Sequence, residues 1–250
     1  MRPIIQITRI FKKYNHADAC SLCDFSLSIG EGQIFGLIGP NGAGKTTLIS
    51  ILCGLIEPTS GDYTINEMNY RSHAVEIRRI TGIVPQEYAL YPTLTAKENL
   101  RFFGSMYGLR GAALENEICS GLRSMGLARF GDNLLGTFSG GMKRRINLLA
   151  GVLHKPRVLF LDEPTVGADV QSRKAILAYL REFNKEGTTI VYTSHHLSEA
   201  EDFCNQIAII DHGKVYATGT PAELIADIPE ARNLEDVFIS LTGQSLRDAV

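Results

Sequence analysis

The nine residues Gly39-Pro40-Asn41-Gly42-Ala43-Gly44-Lys45-Thr46-Thr47 restrict this chain more than any other stretch. They fit the pattern G-x-x-x-x-G-K-[ST], and the flanking sequence is what the pattern needs. The apolar run Gln33-Ile34-Phe35-Gly36-Leu37-Ile38 before them reads as a buried strand; Leu48, Ile51, Leu52 and Leu55 after them fall at i, i+3, i+4 and i+7, the stripe of a helix. A strand turning through glycines into a helix aims backbone N–H groups and the positive end of a helix dipole at one point. Glycines allow the close approach because no Cβ intervenes. In such a loop Lys45 brings a point charge to the β/γ-phosphates and Thr46 a hydroxyl for Mg²⁺. The stretch predicts a nucleotide triphosphate site.

With 250 residues, 44% of them hydrophobic, the chain can bury a substantial core in one or two lobes. A formal net charge of -2 gives no electrostatic footprint for nucleic acid or for an anionic membrane surface. No run reaches the roughly 18 apolar residues of a membrane span, and the start Met1-Arg2-Pro3-Ile4-Ile5-Gln6 has no signal-peptide core, so a cytoplasmic location is expected. Five cysteines, an odd number, make no disulfide framework. Cys20 and Cys23 are spaced C-x-x-C, but no second pair or Cys-His set follows. They are expected to be small apolar fillers beside a strand, with metal or redox chemistry as the alternative.

Taken in order, Ile4 to Thr8 reads as a strand, and Tyr14 beyond it is a candidate stacking plate for a nucleobase or else a surface tyrosine. Leu22, Phe25, Leu27 and Ile29 mark another strand, and Asp62 to Asn66 a third. A short polar helix around His73 to Arg79 leads through Ile80–Val84 to Gln86. From Glu87 to Leu153 the pattern is helix after helix, with Thr95 and Glu98 spaced as a capping box. Ser139 reads as the N-cap of the helix carrying Met142, Ile146, Leu149, Ala150 and Leu153 on one face. The cations Lys143, Arg144 and Arg145 oppose that helix's dipole, which suggests either an anionic ligand brought to the helix end or a solvated basic face.

Val158 to Leu161 reads as a parallel strand buried on both faces and ending in Asp162 and Glu163. Ligands of open α/β sheets sit at the carboxyl ends of strands, so both acids should lie beside the phosphate loop. There Asp162 can support Mg²⁺ and Glu163 can act as general base on the attacking water. A helix from Gln171 to Glu186 and a strand from Thr188 to Thr193 follow. His195 then emerges at the ligand edge, placed either to hydrogen-bond a γ-phosphate or the water beside it or to serve as a structural histidine at a strand end. Gln206–Asp211 and Lys214–Ala217 form a hairpin through Asp211-His212-Gly213, and helices are expected over Pro221–Ile228 and around Leu234, Val237, Phe238 and Leu241. This gives residues 1–86 and 154–220 as a nucleotide-binding α/β core, 87–153 as a helical subdomain and 221–250 as a C-terminal helical tail.

The phosphate loop, Gln86, Ser139-Gly140-Gly141-Met142, Asp162-Glu163, Asp169 and His195, in that order, resemble the nucleotide-binding subunit of an ATP-binding cassette (ABC) transporter over nearly the whole chain. The stretch Pro85–Thr95 and the tail Leu234–Gly243 look like those of ABC-2 type exporters, a multidrug efflux-like group. The resemblance implies a P-loop NTPase (RecA-like) mixed sheet core with an N-terminal antiparallel β part and an inserted α-helical subdomain. It implies ATP and Mg²⁺, with Tyr14 stacking on adenine, Thr46, Gln86 and Asp162 serving the metal, Glu163 as base and His195 as the switch histidine. Ser139, Gly140, Gly141 and Met142 would complete the ATP site of a second subunit, a homodimer being expected, with Asp169 in the loop that couples the two. A separate polytopic membrane permease would dock at the helical subdomain, placing the chain on the cytoplasmic face of the membrane, with no nucleic acid as partner.

Three departures stand out: Phe-Ser-Gly-Gly-Met in place of Leu-Ser-Gly-Gly-Gln, Val166-Gly167-Ala168-Asp169-Val170 where Gly-Leu-Asp-Pro is commoner, and a second histidine, His196, with no assigned role. A GTPase would need Asn-Lys-x-Asp, and Asn184-Lys185-Glu186-Gly187 lacks the aspartate. The alternative is a non-transport ABC ATPase associated with ribosomes or nucleic acid. Against it, the insertion carries no sustained heptads and the chain holds a single cassette.

Overall fold

A computed structural model of the protein describes residues 2–15 and 18–243. The chain opens with β1 (Pro3–Lys12), β2 (Leu22–Gly30) and β3 (Ile34–Ile38), then α1 (Lys45–Leu52), β4 (Ser60–Ile65), β5 (Met68–Asn69) and α2 (Tyr70–Ile80). β6 (Thr81–Val84) leads into α3 (Ala96–Met106), α4 (Gly111–Ser124) and α5 (Gly140–Val152). There follow β7 (Val158–Asp162), α6 (Val170–Lys185), β8 (Thr189–Ser194) and α7 (Leu197–Phe203), and then β9 (Gln206–Asp211), β10 (Lys214–Gly219), α8 (Pro221–Ala226) and α9 (Leu234–Thr242). Residues 244–250 of the expected tail lie outside the described residues.

Two compact units emerge, one from the segments up to Arg78 and from Thr189 onward, the other from Arg79–Thr188. In the first, β2-β1-β4-β5 form an antiparallel sheet. Leu22, Phe25, Leu27 and Ile29 of β2 turn inward, the alternation of a half-buried strand. A second, mixed sheet runs β10-β9-β3-β8, with β3 parallel to β8 and β9 and β10 antiparallel to β9. Every residue of β3 and β8 is buried, as expected of parallel strands covered on both faces. Ile38 pairs with Ser194, so Gly39 and His195 leave the same edge of the sheet.

Two expectations are corrected in this unit. Helix α1 stops at Leu52 and does not extend to Leu55: Gly54 follows the cap at φ 67, a left-handed helix stop, and Leu55 is 66% exposed while Leu48, Ile51 and Leu52 are buried. Cys20 and Cys23, expected as apolar fillers, are joined as a disulfide, their Cα atoms 5.9 Å apart. That separation lies in the range a disulfide needs.

The second unit contains the parallel pair β6–β7 with α3, α4, α5 and α6, and so holds β7 and α6 as well as the helices between 87 and 153. The capping box is present: Glu98 N–H donates to Thr95 Oγ1 (3.2 Å) and Thr95 N–H to Glu98 Oε2 (2.8 Å). Helix α5 is buried nearly all round from Ile146 to Val152, which makes it the unit's central rod.

Candidate active site

In the first unit the phosphate loop rests on its glycines. Gly44, the N-cap of α1, has φ 105, and a Cβ there would lie 2.6 Å from Ser21 O and 2.9 Å from Leu22 Cδ2. Only glycine satisfies both the dihedral and the space. Lys45, 5% exposed, lies inside the loop, its Nζ donating to Gly39 O (2.7 Å) and Pro40 O (3.0 Å). Thr46 is exposed and Thr47 half-buried. The Tyr14 hydroxyl is 3.4 Å from Thr47 Oγ1, and the Lys12 ammonium lies 5.3 Å from the Tyr14 ring centroid, so the half-exposed ring stands next to the loop. Gly213 N–H donates to Ala43 O (3.0 Å), tying the loop to the β9–β10 turn. His195 is half-buried directly after β8, its ring 4.1 Å from that of His196.

The second unit gathers the remaining candidates. β7 delivers Asp162 and Glu163, which are 5% and 6% exposed. Glu163 has φ 49, a left-handed conformation that costs a non-glycine residue roughly 1–2 kcal/mol. Its Oε2 accepts a hydrogen bond from Gln86 Nε2 at 3.1 Å. Ser139 caps α5, its Oγ accepting from Met142 N–H (3.3 Å); Gly140 is exposed, Gly141 buried and Met142 half-buried. Asp169 caps α6, accepting from Ser172 N–H and Ser172 Oγ–H, each at 2.8 Å. The Ser172 backbone N–H, followed by its hydroxyl, holds the Asp169 carboxyl below the usual carboxylate range.

Of the three cations of α5, Arg144 and Arg145 are engaged by carbonyls within this unit. The helix begins at Gly140, so Lys143 to Arg145 fall beyond the first three N–H groups, where the dipole has largely faded. Arg145 donates from Nη1 to Met125 O (2.8 Å) and from Nε to Gly141 O (3.3 Å). Arg144, 4% exposed, donates from Nη1 to Gln86 O (2.6 Å) and from Nη2 to Val166 O (2.9 Å), with its guanidinium carbon 4.8 Å from the Tyr88 ring centroid. Burial pulls its pKa below the ordinary guanidinium value. The Tyr88 hydroxyl in turn donates to Gly140 O (3.1 Å). Sequence reasoning gave Arg144 no role apart from the three-cation cluster and passed over Tyr88 and Asn147, whose Nδ2 donates to Pro85 O (3.1 Å). The available signal was Arg144 and Asn147, polar residues one turn apart where the helix is otherwise apolar from Ile146 to Val152.

A family model described as ABC transporter matches residues 22–166, the span from β2 to the end of the Asp162-Glu163 turn. The chain belongs to the ABC transporter family. It is 43% identical to the linearmycin resistance ATP-binding protein LnrL of Bacillus subtilis over 98% of this chain and 77% of that protein. It is 34% identical to the doxorubicin resistance ATP-binding protein DrrA of Mycobacterium tuberculosis, over 98% of this chain and 72% of that one. The dimeric, post-hydrolysis structure of the ATP-binding cassette MJ0796 bound to ADP and Pi superposes with a TM-score of 0.79 at 26% identity, covering 86% of this chain and 98% of that one. This member of the ABC family is therefore an ATPase with the P-loop NTPase fold, and the transport reading is favoured over the non-transport one. Among the described residues no helix is long and apolar enough to cross a membrane.

Proposed function

We propose that this ABC ATPase powers export of a substrate through a separate polytopic membrane permease, working at the cytoplasmic face of the membrane as a head-to-tail pair of identical cassettes around two ATP molecules. The observation that carries the hydrolytic reading is Glu163, a buried carboxylate in a strained backbone conformation with Gln86 hydrogen-bonded to it. Strain of this kind is retained where it aims a reacting group. Glu163 takes the proton of the attacking water. Lys45 and the N–H groups of residues 39–47 hold the phosphates, Tyr14 stacks on the adenine, and His195 hydrogen-bonds the γ-phosphate. Ser139, Gly140, Gly141 and Met142 contact the ATP of the second cassette, and Asp169 couples the two sites.

Mg²⁺ suits the chemistry of the ligands proposed for it: the Thr46 hydroxyl, the Gln86 amide oxygen and the Asp162 carboxylate are hard oxygen donors. When bound, the ion neutralises charge on the phosphate oxygens. Export as the direction is supported by the resistance proteins named above. The permease reading is supported by an apolar patch in the second unit: Tyr91 and Phe102, with rings 5.2 Å apart, are 45% and 43% exposed, and Met106, one turn beyond Phe102 on α3, is 70% exposed. An exposed patch of this kind marks an interaction surface.

The test is Glu163→Gln. It should keep ATP affinity and lower turnover by about 10²–10⁴-fold, the range of a general base. Unchanged turnover removes Glu163 from the mechanism. Purification of the tagged chain from detergent-solubilised membranes should bring down a polytopic membrane protein in stoichiometric amount; ribosomes or nucleic acid in its place would overturn the transport reading.

A further inference from the structure

We infer that Arg144 is a positioning residue that fixes the Gln86 segment and the 166–169 loop to the signature helix α5, and through Gln86 sets the Glu163 carboxylate. The inference rests on the reading of Glu163 as general base. Its guanidinium spans two carbonyls from different segments, Gln86 O at 2.6 Å and Val166 O at 2.9 Å, and is buried over the Tyr88 ring. One turn along α5, Asn147 Nδ2 holds Pro85 O at 3.1 Å, so both carbonyls of the Pro85-Gln86 step are gripped by the same helix. The Gln86 side chain then donates to Glu163 Oε2 at 3.1 Å, and Arg144 and Glu163 interact electrostatically. Val166 follows Glu163 closely in sequence, and its N–H donates to Glu163 O at 3.2 Å. Arg144 thus braces the Glu163 turn from two directions.

The chemistry calls for arginine. A planar fork with several fixed N–H donors can bridge two carbonyls and lie on an aromatic face together, whereas a lysine ammonium is a point charge that does one or the other. Burying a cation whose hydrogen-bond acceptors are neutral carbonyls is costly, and burial does lower the Arg144 pKa despite the charge of Glu163. A hydrophobic residue of similar volume would fill the space more cheaply if only packing were required. What arginine adds is register between the helix that begins with Ser139-Gly140-Gly141 and the two segments flanking Glu163. Rotation or shift of α5 is then transmitted to the Glu163 turn through Arg144 and through Tyr88, whose hydroxyl donates to Gly140 O.

The experiment measures steady-state ATP turnover and ATP affinity of the purified full chain for wild type, Arg144→Lys, Arg144→Met, Tyr88→Leu and Glu163→Gln, each normalised to its folded fraction. Arg144→Lys and Arg144→Met should lower kcat about 10- to 100-fold, the scale of a catalytic group misplaced by about 1 Å, with KM and ATP affinity within about twofold of wild type. Lysine should not rescue. If the arginine variants fail to fold, Tyr88→Leu reads the same brace from an exposed site, with a kcat loss of about two- to fivefold at unchanged KM. A purely structural role predicts a lower melting temperature and wild-type kcat per folded molecule, which would overturn the inference, as would full rescue by lysine. Wild-type turnover in Glu163→Gln would remove the underlying base reading; its loss together with wild-type turnover in Arg144→Lys and Tyr88→Leu would remove only the role given to Arg144.

Discussion

Gly141→Ala isolates the packing role of a signature glycine from the ligand role proposed for it. In a helix interior, exchanging glycine for alanine ordinarily stabilises by about 0.8–1 kcal/mol, and Gly141, in the first turn of α5, would gain at most that. Here the new Cβ would lie 2.9 Å from Ser172 Cβ and closer still to Ser172 Oγ and Asp169 Oδ2, the pair that caps α6. Ser172 is 1% exposed and has no room to swing aside. Relief must come from shifting the cap, at about 1 kcal/mol, and from overpacking, at about 2 kcal/mol, leaving a net loss of about 2 kcal/mol after the helix gain is subtracted. At roughly 2–4 °C per kcal/mol for a protein of this length, thermal melts followed by circular dichroism should show Tm lowered by about 4–8 °C. Gly140→Ala is the control, because its Cβ would meet only Gly167 O at 3.7 Å and Tyr88 Oη at 3.8 Å, ordinary contacts. Its Tm should stay within about 2 °C of wild type or rise. Equal melting temperatures for the two variants would refute the claim that the 141 position is closed by the α6 cap.

Lys45→Ala should weaken ATP binding at least tenfold, about 1.4 kcal/mol, since it removes the loop's point charge; calorimetry finding wild-type affinity would count against the loop assignment. Acid stability should carry the signature of the capping carboxylates. The backbone N–H of Thr95, followed by its hydroxyl, holds the Glu98 carboxyl below its ordinary value. Its contribution is therefore complete above the unfolded value of about 4.3 and is lost as pH falls toward the lower folded value, where the unfolded chain binds more protons. Urea midpoints between about pH 5 and pH 3 should fall less steeply in Glu98→Gln than in wild type; parallel curves would exclude this contribution.

The sequence made legible what local pattern controls. The continuous apolar runs of β3, β7 and β8, the alternation of β2, and the caps at Thr95 and Ser139 all follow from period and from short-range hydrogen bonding. The phosphate loop was equally plain, because its glycines, lysine and threonine are contiguous. What stayed hidden depends on partners far along the chain. Arg144 reaches Gln86, which is 58 positions away, and Val166, which is 22 away, and nothing in its neighbours announces either. The true end of α1 was missed because Leu55 continues the periodic stripe, while Gly54 in the left-handed region breaks the helix before it. The Cys20–Cys23 bridge depends on how closely the approach to β2 brings the two Cα atoms, which spacing alone does not dictate.

On the proposal that Glu163 is the general base, its left-handed backbone sets stability and turnover against each other at a single codon. Glycine there would relax a conformation that glutamate holds at roughly 1–2 kcal/mol, so a search for heat-resistant variants that ignores turnover would favour replacing it. With Glu163 as the base proposed above, thermal robustness and ATP hydrolysis have to be screened together, because the residue whose φ of 49° weakens the fold is also the one that would carry the reacting carboxylate.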